Sequence, residues 1–422
     1  MIQFLYKVIM TLGIPVVEVI LLIRTFLGKE DPNRINERRG ITKLKRPHGN
    51  LIWLHASSVG ESIAALALME KLLTSHPLNT ILITTGTLTS AKLLKDRLPH
   101  GVIHQFVPID RPAWVKRFLN HWRPNLVLIM ESEFWPIQIQ QINSREIPII
   151  TINARLSKTS YSRWCWAKSM ARSIFGSIEL IIATNTEQAQ RFQTLGARKI
   201  QVGGNLKRSA KKLPVKVAAI KELQQQIGSR KVWLAASTHE GEDLAVIETQ
   251  KILKTKFSNM LTIIVPRHPQ RRDEIRLLAR ANQLAVACRT KNETIQPETD
   301  IYIADTLGEM SIFFDLTRYV FIAGSLVPVG GHNPIEPAHF DCAIFFGPLM
   351  AKNQEIADEM IKIKAAIQIT SNESLPHTLE ELLNNDNLSK ELSCNARKYA
   401  EDGGTILESI SLKISPYIVG IK

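Results

Sequence analysis

One rhythm constrains this chain more than any other feature: short apolar runs rich in β-branched residues alternate with amphipathic stretches of about 10 to 15 residues. From residue 51 the runs read LIWLH, TILITTG, VIHQFVPI, LVLIME, IPIITINA, LIIATN and IQVGG. Runs apolar at successive positions belong to strands buried on both faces, which means a parallel sheet covered by helices. Between Gly203 and Arg230 the rhythm pauses in GGNLKRSAKKLPVK and a short polar helix, the composition of a linker. It then restarts with KVWLAAS, LTIIVPR, LAVACRT, IYIADT, YVFIAGS and CAIFFG. At 422 residues the chain has room for two such domains. The expected class is α/β: two doubly wound domains facing a cleft, with no short internal repeat. The predicted division is an N-terminal membrane-associated helix at 1–28, a first domain at 29–205, a linker at 206–230 and a second domain at 231–422.

The N-terminal helix rests on the run Val8 to Leu27, mostly apolar and, as one helix, about 30 Å long, close to a bilayer's hydrocarbon thickness. Pro15, Glu18 and Arg24 interrupt it. No small-residue cleavage site follows, so a membrane anchor or interfacial helix is the reading, with a buried helix of the first domain as its alternative. Next come Arg24, Lys29, Arg34, Arg38, Arg39, Lys43, Lys45 and Arg46, opposed only by Glu30, Asp31 and Glu37. Such a cluster favours the cytoplasmic side and anionic head groups.

Over the whole chain 53 Lys and Arg face 39 Asp and Glu, a net +14 with His neutral. That surplus predicts an anionic partner. No nucleic-acid-binding module is recognisable, and the clusters at Arg24–Arg46 and Lys207–Lys212 point instead to anionic lipid and a phosphorylated substrate. Cys165, Cys288, Cys342 and Cys394 are too widely spaced for a CxxC motif, which leaves neither a zinc site nor a disulfide framework.

In parallel sheets ligands bind beyond the carboxyl ends of strands, so the loops after the apolar runs carry the candidate residues. His55-Ala-Ser-Ser-Val-Gly-Glu61 follows the first run. Ser58 and Glu61 fit a capping box, and Glu61 equally fits a general base able to take a proton from an incoming hydroxyl. Glu131 and Glu133 end LVLIM, where a buried carboxylate is costly unless paired or used. Asn153-Ala-Arg155 follows the next run, and Gly204-Asn-Leu-Lys207 places a lysine that can neutralise a phosphate, or be an ordinary surface lysine.

In the second half Ser237-Thr-His-Glu-Gly-Glu-Asp243 opens a helix, with Ser237 or Thr238 as N-cap explaining it without a metal. Pro266-Arg267-His268-Pro269, Asp305-Thr-Leu-Gly-Glu-Met310 and Gly324-Ser325 end three further strands. The richest stretch is Gly324-Ser-Leu-Val-Pro-Val-Gly-Gly-His-Asn-Pro-Ile-Glu336, whose adjacent glycines can offer amides to a phosphate while Asn333 and Glu336 bond a base or ribose. The stretch is neither GxGxxG nor a P-loop, and no GxSxG elbow occurs.

HASSVGE, ESEFWP, NARLS, GNLK, STHEGED, PRHP, ADTLGEM and GSLVPVGGHNPIEP, in this order, closely resemble the motifs of the bacterial 3-deoxy-D-manno-oct-2-ulosonic acid (Kdo) transferases. The resemblance implies the GT-B fold of two Rossmann-like domains with a membrane-associated N-terminal helix. It implies an inverting transfer of Kdo from CMP-Kdo to the lipid A precursor, lipid IVA, in lipopolysaccharide inner-core synthesis at the cytoplasmic face of the inner membrane. By the same resemblance Glu61 is the general base, and Glu131 and Lys207 stabilise the transition state. Pro266 and Arg267, Leu307, Gly308 and Glu309, and Asn333, Pro334, Ile335 and Glu336 bind CMP. No metal or other cofactor is implied, and no nucleic acid. Two departures stand out: Leu307 where the family usually has Met, and ESEFWP for the commoner ETELWP, which keeps both carboxylates. The residues alone also fit a GT-B transferase using a UDP-sugar on a lipid acceptor, or a non-catalytic basic membrane- or nucleotide-binding protein.

Overall fold

The structure, a computed structural model, describes residues 2–95, 97–209 and 212–419. The chain forms two compact units, one of Met1–Ser209 with Gly403–Lys422 and one of Ala210–Asp402. Each is built on a seven-stranded parallel sheet.

In the first unit the strands are β1 (Leu51–His55), β2 (Thr80–Thr85), β3 (Val102–Phe106), β4 (Leu126–Met130), β5 (Ile149–Ala154), β6 (Leu180–Ala183) and β7 (Ile200–Val202), in the order β3-β2-β1-β4-β5-β6-β7. The winding reverses between β1 and β4, the crevice where doubly wound folds place their ligands. His55 pairs with Ile129 across that junction, so the chain leaves both strands side by side. Along β1 the residues alternate between two apolar layers: Leu51 and Trp53 pack on one side of the sheet, Ile52 and Leu54 on the other. This is why the run is apolar throughout rather than at every second position. Buried Trp53 and Trp122 keep their indole N–H groups satisfied by Thr84 Oγ1 and Gln105 Oε1, each at 2.8 Å.

The second unit repeats the plan with β8 (Lys231–Thr238), β9 (Met260–Pro266), β10 (Val286–Cys288), β11 (Ile301–Ile303), β12 (Tyr319–Ile322), β13 (Ala343–Phe346) and β14 (Ala366–Gln368), in the order β10-β11-β9-β8-β12-β13-β14. Its reversal falls between β8 and β12, where Ala236 pairs with Ile322. The edge strand β14 is the one strand among the described residues that the alternation did not announce.

Three boundaries differ from the sequence division. The expected linker is largely ordered structure: Leu206 lies in the first unit's core, and the helix Val217–Ile227 buries Ile220, Leu223 and Ile227 in the second unit's core. That helix reads as polar because only one stripe is apolar. The chain's end returns to the first unit: the helix Asp386–Val419 runs on past Asp402, and its Ile410, Ile414 and Ile418 pack beneath β1 and β4 with Ile52, Leu54 and Leu128. Finally, residues 1–28 are not one helix. Ile2–Leu12 and Ile14–Phe26 are separated at Gly13, and the pair Gln3–Leu12 and Ile14–Phe26 is bent by 61°. Pro15 sits in the second helix's first turn, where its missing N–H is harmless, but it cannot continue a helix from before the break. Among the described residues no single helix is long and apolar enough to cross a membrane, and this bent pair passes that test only together, by length and composition.

The basic cluster after the pair is largely spent internally. Arg24 and Arg38 both meet Glu30, Arg34 meets Glu37, Arg39 meets Glu18, and Arg46 donates to the carbonyls of Trp122 and Pro47. Lys29, Lys43 and Lys45 remain exposed.

Candidate active site

Glu61 lies in the first turn of the helix Val59–Ser75, directly after β1. The capping box is formed: the Glu61 amide donates to Ser58 Oγ at 3.3 Å, and the Glu61 carboxylate accepts from the Ser57 amide at 2.9 Å and the Ser58 hydroxyl at 2.7 Å. One bond falls on each carboxylate oxygen, which leaves lone pairs on both for an incoming proton. Burial and the neighbouring Glu131 carboxylate raise the Glu61 pKa above the ordinary carboxylate range, with Ser58 and Ser57 pulling the other way. A buried carboxylate with raised pKa is a better base near neutral pH than an exposed one. The cap is therefore compatible with a carboxylate that accepts a proton.

Glu131 follows β4 across the switch point, with a left-handed backbone (φ 54°) that few non-glycine residues adopt. Its neighbour Asn153, at the end of β5, is also left-handed (φ 57°). Two such residues side by side mark a site where local strain is held by the surroundings. The Glu131 carboxylate is clamped between two cations: Arg155 Nε and Nη2 reach Oε2 at 3.0 and 2.7 Å, and Lys207 Nζ reaches Oε1 at 2.7 Å. Both Glu61 and Glu131 are only 6% exposed. Asn153 accepts from the Leu206 amide at 2.8 Å, which fixes the turn Leu206–Ser209 carrying Lys207. The Lys207 side chain reaches the start of the Glu61 helix, since a Cβ added at Gly60 would lie 3.6 Å from its Cε. The structure thus brings Glu61, Glu131 and Lys207 together. Of the basic patch Lys207–Lys212, residues 210 and 211 lie outside the described residues.

Two residues of this cluster were not singled out from the sequence for a role. Arg155 was visible in NARLS, but nothing in its spacing showed that it would face Glu131. Asn153 acts through a left-handed backbone and a side chain that accepts the Leu206 amide, neither of which single-residue reading exposes. Glu133 pairs with neither: burial works against its charge, yet the His55 imidazole (Nε2 3.8 Å away) and the Trp135 indole (2.8 Å) hold it below the usual range.

In the second unit the switch point gathers the loops after β8 and β12. Glu242, buried, takes four backbone amides: His239 at 3.1 Å, Gly324 at 2.7 Å, Ser325 at 3.1 Å and Leu326 at 3.0 Å. Burial nevertheless leaves its pKa raised. Two sequence readings change here. The N-cap of the helix Asp243–Lys254 is Glu242, while Ser237 and Thr238 belong to β8. And the loop amides offered to a phosphate are partly taken, since Gly324, Ser325 and Leu326 serve Glu242 and the Gly331 amide donates to the Gly324 carbonyl at 2.7 Å. The loop is pinned rather than open.

What the pinned loop presents is imidazole. His239 and His332 meet Nε2 to Nε2 at 2.9 Å, with His268 edge-on to His239. Burial, His239, Arg267, Lys352 and His268 push the His332 pKa down to about 4. One ring of the pair must therefore donate and the other accept, both neutral at pH 7. Gly324 makes room: at φ +70° any Cβ would lie 3.1 Å from His332 and 3.3 Å from His239.

The other expected nucleotide contacts stand on the same rim. Pro266 ends β9, and the Arg267 amide donates to the Thr238 carbonyl at 3.0 Å. Leu307, after β11, is 77% exposed, which suits a segment that works through its backbone, and Gly308 takes φ +75°. Glu309 is bound by Arg289 and by the Thr306 hydroxyl at 2.7 Å, and Arg289 chiefly holds its pKa down to about 2. Asp305 braces the loop by accepting the Thr290 amide at 2.9 Å. Asn333, Pro334, Ile335 and Glu336 lead into the short helix Ile335–Ala338, where Asn333 Oδ1 accepts the Ile335 amide at 3.1 Å. Among the described residues no group of three or more His, Cys, Asp or Glu could hold a metal ion, and the four cysteines are free.

Comparison with known proteins identifies the family of the chain. The family model of 3-deoxy-D-manno-octulosonic-acid transferase (kdotransferase) matches residues 33–210. A 3-deoxy-D-manno-octulosonic acid transferase of Rickettsia bellii is 37% identical, covering 96% of this chain and 97% of that protein. The enzyme of the same name from Haemophilus influenzae is 31% identical over 91% of each. Among solved structures, a UDP-N-acetylglucosamine 2-epimerase of Listeria monocytogenes matches with TM-score 0.58 at 12% identity, covering 88% of this chain and 97% of that one, a likeness of fold alone. The fold is GT-B, and the chain belongs to the Kdo transferase family and is a glycosyltransferase.

Proposed function

We propose that the chain transfers Kdo from CMP-Kdo to the lipid A precursor, lipid IVA, with inversion at the donor carbon. The observation that carries this reading is the Glu61 carboxylate, raised in pKa and held at the switch point beside Lys207, Glu131 and Arg155. Glu61 takes the proton of an acceptor hydroxyl as its oxygen attacks the anomeric carbon of Kdo. The departing CMP develops negative charge on its one phosphate, and Lys207 supplies a fixed cation against it. Glu131 holds Lys207 and Arg155 in place, so that the cation is preorganised before the charge develops. With one base and every other carboxylate of the cluster engaged, inversion follows.

Leu307–Glu309, Pro266–Arg267 and Asn333–Glu336 are proposed to bind CMP, with the neutral His239–His332 pair beside them. The N-terminal helix pair, whose Phe4, Ile9, Leu12, Val16, Leu22 and Phe26 are exposed, is proposed to lie in the interface of the bacterial inner membrane on its cytoplasmic face, helped by Lys29, Lys43 and Lys45 and anionic lipid. Glu18 and Tyr6 bond back to Arg39 and Asp110, which favours lying on the membrane over spanning it.

Two measurements test the reading together. Calorimetry with CMP and UDP reads the base, with CMP expected to bind and UDP not. Incubation with CMP-Kdo and lipid IVA, followed by mass spectrometry of the lipid, is expected to show added Kdo; an unchanged lipid mass, or binding of UDP in place of CMP, overturns it.

A further inference from the structure

The helix Ile14–Phe26 is apolar on more than one side. Val17, Ile20, Leu21 and Arg24 fall on one stripe and line a cavity of about 360 Å³, Ile20 itself being 49% exposed, and Val16, Val19, Leu22, Ile23 and Phe26 are exposed beyond it. Val107, Pro108 and Ile109, just beyond β3, form the facing wall. Ser57 also lines the cavity, and its amide is the one that donates to Glu61. The cavity therefore connects an exposed apolar helix face with the residue that holds the proposed base.

The charged groups in the lining are already answered by the protein. Arg24 and Arg38 pair with Glu30, Asp110 accepts the amides of Ile137 and Gln138 at 3.0 and 2.8 Å, and Glu133 accepts the Trp135 indole. The lining offers a ligand mainly hydrocarbon, which recognises a chain rather than an ion. The wall is also fixed: Tyr6 donates to Asp110 at 3.0 Å, and Arg39 binds both oxygens of Glu18.

We propose that this cavity takes one acyl chain of the lipid acceptor, entering across the exposed face of the helix pair, so that the N-terminal helices are a wall of the acceptor site as well as a contact with the membrane. The proposal rests on the lipid-acceptor reading above. Burying a few methylenes per chain is enough to set an acceptor KM apart by tenfold.

The test compares the unaltered chain with Val17→Trp, which fills the cavity, and Leu78→Trp, at an exposed turn of the first unit outside the helix pair. Each is assayed with lipid IVA in detergent and with its deacylated, bisphosphorylated disaccharide, and melting and CMP affinity report folding. Val17→Trp is expected to raise the KM for lipid IVA about tenfold while moving that for the disaccharide less than twofold; Leu78→Trp leaves both in place. Ile20→Trp serves in the same way if Val17→Trp does not fold. An unchanged lipid IVA KM, or an equal rise for both acceptors, overturns the subsite. Weaker binding to phospholipid vesicles with an unchanged KM assigns the cavity to a bilayer lipid and overturns it too. Wild-type transfer to the disaccharide but with no KM advantage for lipid IVA refutes the subsite alone, whereas transfer to neither acceptor refutes the functional reading itself.

Discussion

At the scale of single residues the site depends on groups held where they would not settle alone. As the proposed base Glu61 would work only when deprotonated, and burial with the Glu131 charge raises its pKa. The sign follows directly: base is lost as pH falls through a value above the ordinary 4.5, so the acid limb of the rate profile lies above that of a free carboxylate. Replacing Glu131 with Gln removes the largest charge that raises the Glu61 pKa, and the limb in the remaining activity is expected to move to lower pH; a limb that stays put or rises contradicts the coupling. Lys207→Ala is expected to lower kcat by about a hundredfold with a small change in CMP-Kdo affinity, because the cation matters most when charge develops. A loss confined to KM, read by steady-state kinetics, counts against that role. In the second unit, Gly324→Ala adds a Cβ at φ +70° against both imidazoles and is expected to cost about 1–3 kcal/mol in urea unfolding as well as weaken CMP binding. A neutral result on both would show that the His239–His332 contact is not fixed by this glycine.

Individual secondary-structure elements were the most legible part of the sequence. Runs such as LIWLH and LVLIM are strands because both faces of each are covered, and that periodicity is local and strong. What stayed hidden depended on packing between distant segments. The helix Val217–Ile227 reads as linker because its apolar stripe is only Ile220, Leu223 and Ile227. The end of the helix Asp386–Val419 gives no sign that Ile410, Ile414 and Ile418 complete the first unit's core. Ile414→Ala is accordingly expected to destabilise the first unit by about 2–5 kcal/mol. Separate reporters, such as tryptophan fluorescence of Trp53 against a probe in the second unit, would read which transition moves; a shift only in the second unit's transition contradicts the assignment. The N-terminal run is the converse case: its apolar length was plain, but the break at Gly13 and Pro15 turns one apparent span into two bent helices.

For the whole molecule, the two sheets share one logic. Each puts its chemistry where the strand order reverses: β1 and β4 present Glu61 and Glu131, and β8 and β12 present Glu242, His239 and the Gly324–Glu336 loop. The loops could be found in the sequence because they follow the apolar runs, and the order of the motifs pointed to the family. The pairings within them could not. That Arg155 and Lys207 share Glu131, or that Glu242 spends its carboxylate on four loop amides, depends on strand order and register. The +14 charge is likewise redistributed by folding: several arginines between Arg24 and Arg46 serve internal ion pairs, and only part of the surplus is left for an anionic surface.

Glu61 is proposed to be the base of a Kdo transfer, and the second unit is proposed to bind the nucleotide. This central proposal is tested most directly by measuring, on Glu61→Gln, both the transfer rate from CMP-Kdo to lipid IVA and the affinity for CMP. The glutamine keeps the size, and its one oxygen can still accept from the Ser57 amide while its NH2 group donates to the Ser58 hydroxyl oxygen, but it cannot take a proton. The account predicts transfer lowered by at least about a thousandfold with CMP affinity unchanged within about twofold. Transfer near the wild-type rate contradicts it.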